Sequence, residues 1–189
     1  LRNVSLTLEV DGAQVQQEFG ELTFTMGGLE GALGFRVSRK AVHALEAGRR
    51  VEAVVDLKPA VSETELRDRI QREYRKDMRL SRYLGQLLPL QAVKPFMDAA
   101  PSLTVGSLPV RLKHWRFPIR SYVDYSRAVV TSGGVSLKEI SRKTMESKIV
   151  PGLYFAGEVM DLDGDTGGYN LQIAFSTAVA AVRSAMASE

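Results

Sequence analysis

The residues best suited to chemistry fall between positions 151 and 172, in the run PGLYFAGEVMDLDGDTGGYNLQ. Glycine at 157 lets a backbone approach a bulky ligand closely, and Glu158 beside it sets a carboxylate where sugar-like hydroxyls could donate to it. Gly167 and Gly168, followed by Tyr169 and Asn170, open an Ala-rich helix. A helix start of this kind presents unpaired N–H groups at the positive end of the dipole, which suits an anion or a polarised carbonyl. Each feature alone has a plainer reading: Glu158 as a surface residue at a strand end, Gly-Gly as an ordinary helix start, Tyr169 as a cover over it.

Two elements must position these residues. The apolar run at 153–156 reads as a short buried parallel strand whose carboxyl end faces a ligand crevice. The helix that follows carries Leu171, Ala174, Phe175, Ala178, Val182 and Ala185 along one side, and its small residues allow close approach to a sheet.

The remaining composition narrows the chemistry. The absence of cysteine excludes disulfides, Cys-ligated metals, Cys nucleophiles and a redox disulfide. No metal site is expected. The two histidines, His43 on an expected helix and His114 on an expected strand, read as structural or solvent-facing, and no catalytic acid or base is assigned. No apolar run approaches the roughly 18 to 20 residues of a membrane span, and the first residues lack the charged, apolar and small-residue pattern expected of a signal peptide. With 25 Lys and Arg against 22 Asp and Glu, the net charge of +3 gives little support to nucleic acid. The expected protein is soluble and cytoplasmic, acts on a small molecule, and binds neither nucleic acid nor membrane. Its oligomeric state is not indicated.

Upstream, residues 1–10 alternate Val4, Leu6, Leu8 and Val10 against polar neighbours, a half-buried strand already at full stride without an initiator Met. A fragment of a longer protein is therefore expected. Asp11-Gly12 predicts a hairpin to a strand at 14–19. Extended runs are expected at 22–25, 33–37 and 51–57, with a short helix over 38–47. Ser62 and Glu65 form a capping-box signature ahead of Leu66, Ile70 and Tyr74. Seven Arg or Lys lie between Arg67 and Arg82, among five acids from Glu63 to Asp77, which reads as a solvated face in preference to a phosphate-binding one. Further helices are expected at 82–88 and 90–99. Alternation at Val110, Leu112, His114 and Arg116, and a run at 122–131, predict return strands.

The segments VTSGGVSLKEI at 130–140, TMESK at 144–148 and PGLYFAGEVMDLDGDTGGYNLQIAFS at 151–176 resemble the C-terminal part of the aminoacetone-oxidase-type flavoproteins, also described as NAD(FAD)-utilising dehydrogenases. The likeness covers 129–189 closely; GELTF at 20–24 and the helices at 66–89 match more loosely. It implies a Rossmann-like FAD domain interrupted by a β-barrel-like domain and a small helical domain. The expected fold is α+β or α/β: an antiparallel β-barrel-like unit (1–57, with return strands at 106–128), a helical insert (58–105), and the C-terminal strand-helix part of the FAD domain (129–189). The implied cofactor is FAD, with NAD(P)H a candidate hydride source. By position, Gly157 and Glu158 would face the ribityl and pyrophosphate region. Gly167, Gly168, Tyr169, Asn170, Leu171 and Gln172 would point at the pyrimidine edge of the flavin, where a helix N-terminus steadies negative charge. Thr131, Gly133 and Gly134 would lie near the flavin.

Two departures stand out. Met26 occupies the place of a family histidine, and Glu30-Gly31-Ala32 stands where the family has Ser-Gly-Pro. The G-x-G-x-x-G fingerprint for the ADP half of FAD is absent from all 189 residues. The alternatives to a fragment of an FAD-dependent oxidoreductase are a folded structural or partner-binding module without activity, and a nucleic-acid-binding helical unit at 62–88.

Overall fold

The computed structural model describes residues 1–25, 28–124, 126 and 128–187. They form two compact units, Leu1–Ser121 and Tyr122–Glu189. Met26, the departure noted above, lies outside the described residues, as do Tyr125 and Arg127 of the expected 122–131 strand.

The first unit is built on a four-stranded antiparallel sheet in the order β2-β1-β5-β6. Strand β1 (Val4–Val10) turns into β2 (Ala13–Gly20) through Asp11 and Gly12, whose φ angles of 52° and 83° are the paired left-handed values of a tight hairpin. Alternation works as expected: Val4, Leu6, Leu8 and Val10 are buried on one face. Strand β5 (Val51–Asp56) pairs with β1, and β6 (Trp115–Ile119) pairs with β5 in the register Val55 to Trp115. Strands β3 (Thr23–Thr25) and β4 (Gly28–Glu30) form a separate pair.

The expected barrel-like unit is not formed. Among the described residues the sheet is open, with β2 and β6 as its edges, and Pro118 on β6 has no N–H to give a further strand. Other expectations are also corrected. The run at 33–37 is not a strand but the start of helix α1 (Gly31–Glu46), because Leu33, Val37, Ala41 and Ala44 recur at helical spacing and are all buried. Residues 108–113 form helix α5 (Leu108–Lys113), not a strand. Pro109 suits a first turn, and burial of Leu108 and Leu112, four apart, outweighs the apparent alternation. His114 is the cap that ends this helix. The described part of 122–131 contains no strand.

Between β5 and β6 lie α2 (Glu63–Glu73), α3 (Leu80–Leu87), α4 (Leu90–Asp98) and α5. The capping box at Ser62 is present, with Ser62 Oγ accepting from the Glu65 amide and Glu65 accepting from the Ser62 amide. These helices share one core with the sheet: Leu66, Ile70, Tyr83, Leu84 and Phe96 join Leu6, Leu8 and Val55. Where the insert leaves and rejoins the sheet, the Leu57 amide donates to Leu112 C=O. Lys113 Nζ there reaches Asp56 at 2.6 Å and donates to the carbonyls of Lys58 and Val61.

The second unit is mostly turns and isolated bridges before one long helix, α6 (Tyr169–Ala187). Two 3-10 turns, Leu137–Glu139 and Gly157–Val159, precede it. No helix of the described residues is long and apolar enough to cross a membrane.

Candidate functional site

The second unit brings Thr131 and Glu158 together across 27 residues of chain. The Thr131 amide and hydroxyl both donate to Glu158 Oε1, at 2.7 and 2.9 Å. The amide bond first, then the hydroxyl bond, hold the Glu158 carboxyl below its ordinary value. Its second oxygen, Oε2, is left for another donor.

Gly133 and Gly134 follow Thr131 in left-handed conformations, at φ 104° and 138°. A side chain at Gly134 would meet Val159 O at 2.4 Å, so this glycine is fixed by close approach of the two segments. The approach is locked by the Val135 amide donating to Val159 C=O and the Asp161 amide donating to Val135 C=O. These bonds make a parallel bridge from Val135 to Met160. At Gly133, by contrast, nothing lies within 4 Å of where a side chain would begin.

The segment at 153–156 is not the expected buried parallel strand. Tyr154 holds a single antiparallel bridge to Glu146, and Leu153 is exposed. A buried parallel strand needs neighbours along both edges. The described residues supply one bridge. The chain then turns at Gly157 (φ 73°), whose amide donates to Thr177 Oγ1 at 2.9 Å. Ala174 lies 3.6 Å from the point where a Gly157 side chain would begin. Small residues therefore seat the Glu158 turn against α6.

Helix α6 starts where expected. Gly167 and Gly168 take φ values of 126° and 89°, and the Gln172 amide donates to Gly168 C=O. The amides ahead of Gln172 stand before the helical ladder at the positive end of the dipole. Asn170 does not face outward with them. Its side chain clasps Gly164, accepting from the amide and donating to the carbonyl, and so closes the acidic loop onto the helix start. Tyr169 and Leu171 are exposed, and Gln172 Nε2 donates to Ser176 Oγ.

The expected apolar side of α6 divides. Ala174 faces the Gly157 turn and Ala181 is buried, whereas Leu171, Phe175 and Val182 are exposed. Small side chains win the inner face because close approach leaves no room for larger ones.

Sequence reasoning missed the Thr131–Glu158 pairing, which joins residues too far apart for any spacing rule. It also missed the Asn170–Gly164 clasp, which an Asx-type residue beside a glycine-containing loop could have signalled. Two cavities among the described residues, about 50 Å³ beside Trp115 and about 370 Å³ beside Ile70 and Pro109, are lined by first-unit residues. Neither contains a residue singled out above for the flavin. No group of three or more metal-ligating side chains occurs among the described residues.

Over residues 7–184 the sequence matches the family described as HI0933-like protein Rossmann domain. The ribosomal RNA dihydrouridine synthase of Haemophilus influenzae is similar, at 33% identity over 190 residues, 95% of this chain and 46% of that protein. So is the Escherichia coli protein of the same name, at 35% over 179 residues, 89% of this chain and 43% of that protein. The 3-dehydro-bile acid delta(4,6)-reductase of Clostridium scindens is 28% identical over 189 residues, 92% of this chain and 46% of that protein. The chain spans about half the length of these relatives.

Proposed function

The chain belongs to the HI0933-like Rossmann family, and from that premise we propose that the intact protein is a flavin-dependent oxidoreductase that saturates a carbon–carbon double bond conjugated to a carbonyl. The relatives' names support the reaction class. A dihydrouridine is a uridine whose pyrimidine double bond, conjugated to a ring carbonyl, has been reduced, and a 3-dehydro-delta(4,6) steroid carries a diene conjugated to its ketone. Both reactions add a hydride to one carbon and a proton to its neighbour. FAD, when bound, would supply the hydride, with NAD(P)H as the proposed source of the electrons. The narrower resemblance to aminoacetone-oxidase-type flavoproteins supplies the cofactor assignment.

The observation that carries this reading is the Thr131–Glu158 clamp in the same unit as the Gly167-Gly168 helix start. Held ionised by Thr131, Glu158 offers its free oxygen to a ribityl hydroxyl. Open space at Gly133 and Gly168 would let their backbone approach the cofactor, and the amides at the start of α6, at Tyr169 and Leu171, would serve its pyrimidine edge. Gly134, Gly157, Asn170 and Gln172 shape these segments.

The test is expression of the whole gene product. It should purify with the visible absorption of FAD, and Glu158→Gln should weaken FAD binding about tenfold, the worth of one hydrogen bond to a charged group. Anaerobic reduction by NAD(P)H should then be reversed by a carbonyl-conjugated alkene. A colourless full-length protein that takes up no FAD would overturn the reading. The second reading, a folded module without flavin, is favoured for the 189-residue chain alone by its missing nucleotide fingerprint.

A further inference from the structure

Helix α6 and the turn that carries Glu158 are joined by a polar contact from one side chain. The 3-10 turn Gly157–Val159 begins without a cap of its own, because Ala156 ahead of it makes no side-chain bond and has no side-chain acceptor to make one. The Gly157 amide donates instead to Thr177 Oγ1 at 2.9 Å, from 20 residues away. The same hydroxyl donates back along the helix to Ile173 C=O at 2.7 Å, with Ala174 C=O beside it at 3.2 Å. It is therefore held from both sides, and the β-branched side chain has few rotamers in which both bonds form.

The surroundings give the threonine its meaning. On the same face of α6, Ala174, three residues before it, lies 3.6 Å from the point where a Gly157 side chain would begin, and Ala181, four residues after it, is buried. A threonine between two alanines costs helix propensity, and its bond to Ile173 needs nothing outside the helix. The second bond reaches the turn, and it lies in a chain of contacts that runs in both directions. Beside Gly157, Glu158 accepts from the Thr131 amide and hydroxyl. Along α6, Thr177 stands eight residues, about 12 Å, from the helix start at Tyr169.

We infer that Thr177 is a positioning residue, which fixes the Glu158 carboxylate relative to the N-terminus of α6 so that the two ends of the candidate cofactor site keep one spacing. The inference rests on the proposed flavin reading for its purpose but not for its geometry. Thr177 acts through Glu158 and is assigned no contact with the cofactor. A hydroxyl here does what a longer loop could not: it sets the carboxylate against a rigid element, and small errors of placement are what a binding site tolerates least.

Two measurements test it, one of them without flavin. In the 189-residue chain, Thr177→Val keeps the shape and removes the hydroxyl. The turn should loosen, the bonds from Thr131 that lower the Glu158 pKa should weaken, and the midpoint of the Thr131 amide shift should rise toward that of an ordinary glutamate. Thr177→Ser, which keeps the hydroxyl, should leave that midpoint in place, and circular dichroism should show α6 retained in both. In the whole gene product, Thr177→Val should weaken FAD binding about fivefold or more and Thr177→Ser less than about twofold. Added to Glu158→Gln, Thr177→Val should cost less than about twofold further, because the carboxylate it positions is already gone. Losses that add in the double variant, equal losses for valine and serine, or an unmoved midpoint in Thr177→Val would each overturn the inference. A whole gene product that binds no FAD, with the midpoint still moved by valine and not by serine, would overturn the proposed function and leave the positioning role standing.

Discussion

In the first unit Leu6, Leu22, Leu33, Tyr83 and Leu84 have no exposed surface, whereas among the described residues of the second only Ile140, Met160 and Ala181 are buried. The second unit instead turns Leu171, Phe175 and Val182 outward, each more than half exposed. The two are held by different forces. A shared apolar core joins sheet and helices in the first. The second relies on main-chain bonds, close approach of small residues and one charged clamp, as Gly134, Gly157 and Glu158 show. A segment with so little core of its own is stabilised by whatever covers it, which is the condition under which a cofactor contributes most to order.

The sharpest way to break this comparison is a pair of truncations. Leu84→Ala should cost about 2–5 kcal/mol in urea unfolding, as a fully buried leucine, while Phe175→Ala on the exposed face of α6 should stay within about 0.5 kcal/mol. Similar losses would mean that the exposed face is covered in solution.

A smaller effect compares two carboxylates held alike. Glu65 accepts from the amide and hydroxyl of Ser62, three residues away, and Glu158 from the amide and hydroxyl of Thr131, 27 residues away. Ser62→Ala removes a helix cap and should cost about 1 kcal/mol of the first unit's stability.

The smallest effect is a titration. The Thr131 amide bond, then its hydroxyl bond, lower the Glu158 pKa, so the clamp is fully present above the ordinary glutamate range and is lost as pH falls through the lowered folded value. The NMR shift of the Thr131 amide should report a midpoint below that of an unperturbed glutamate. A midpoint at or above the ordinary value would remove the clamp from the site.

What was legible in the sequence follows the same division. The Asp11-Gly12 hairpin, the Ser62 cap and the Gly167-Gly168 helix start are local signals, fixed by residues within a few positions of one another. Errors arose where period was ambiguous. The run at 33–37 and the alternation at 110–114 were compatible with strand, and tertiary burial of Leu33, Leu108 and Leu112 decided for helix. Barrel closure was not legible because it depends on how distant edges meet, and the β2 and β6 edges stay apart. In the site, glycines and Glu158 could be picked by type. Their geometry came from Thr131, whose partner no spacing rule names, and from Asn170, whose clasp on Gly164 only its Asx type beside a glycine-containing loop signals.

The neck at Leu57, Leu112 and Lys113 has a consequence for how such proteins diversify. Because the insert enters and leaves the sheet at one fastened point, its length and surface charge can change without altering the register of β5 on β6.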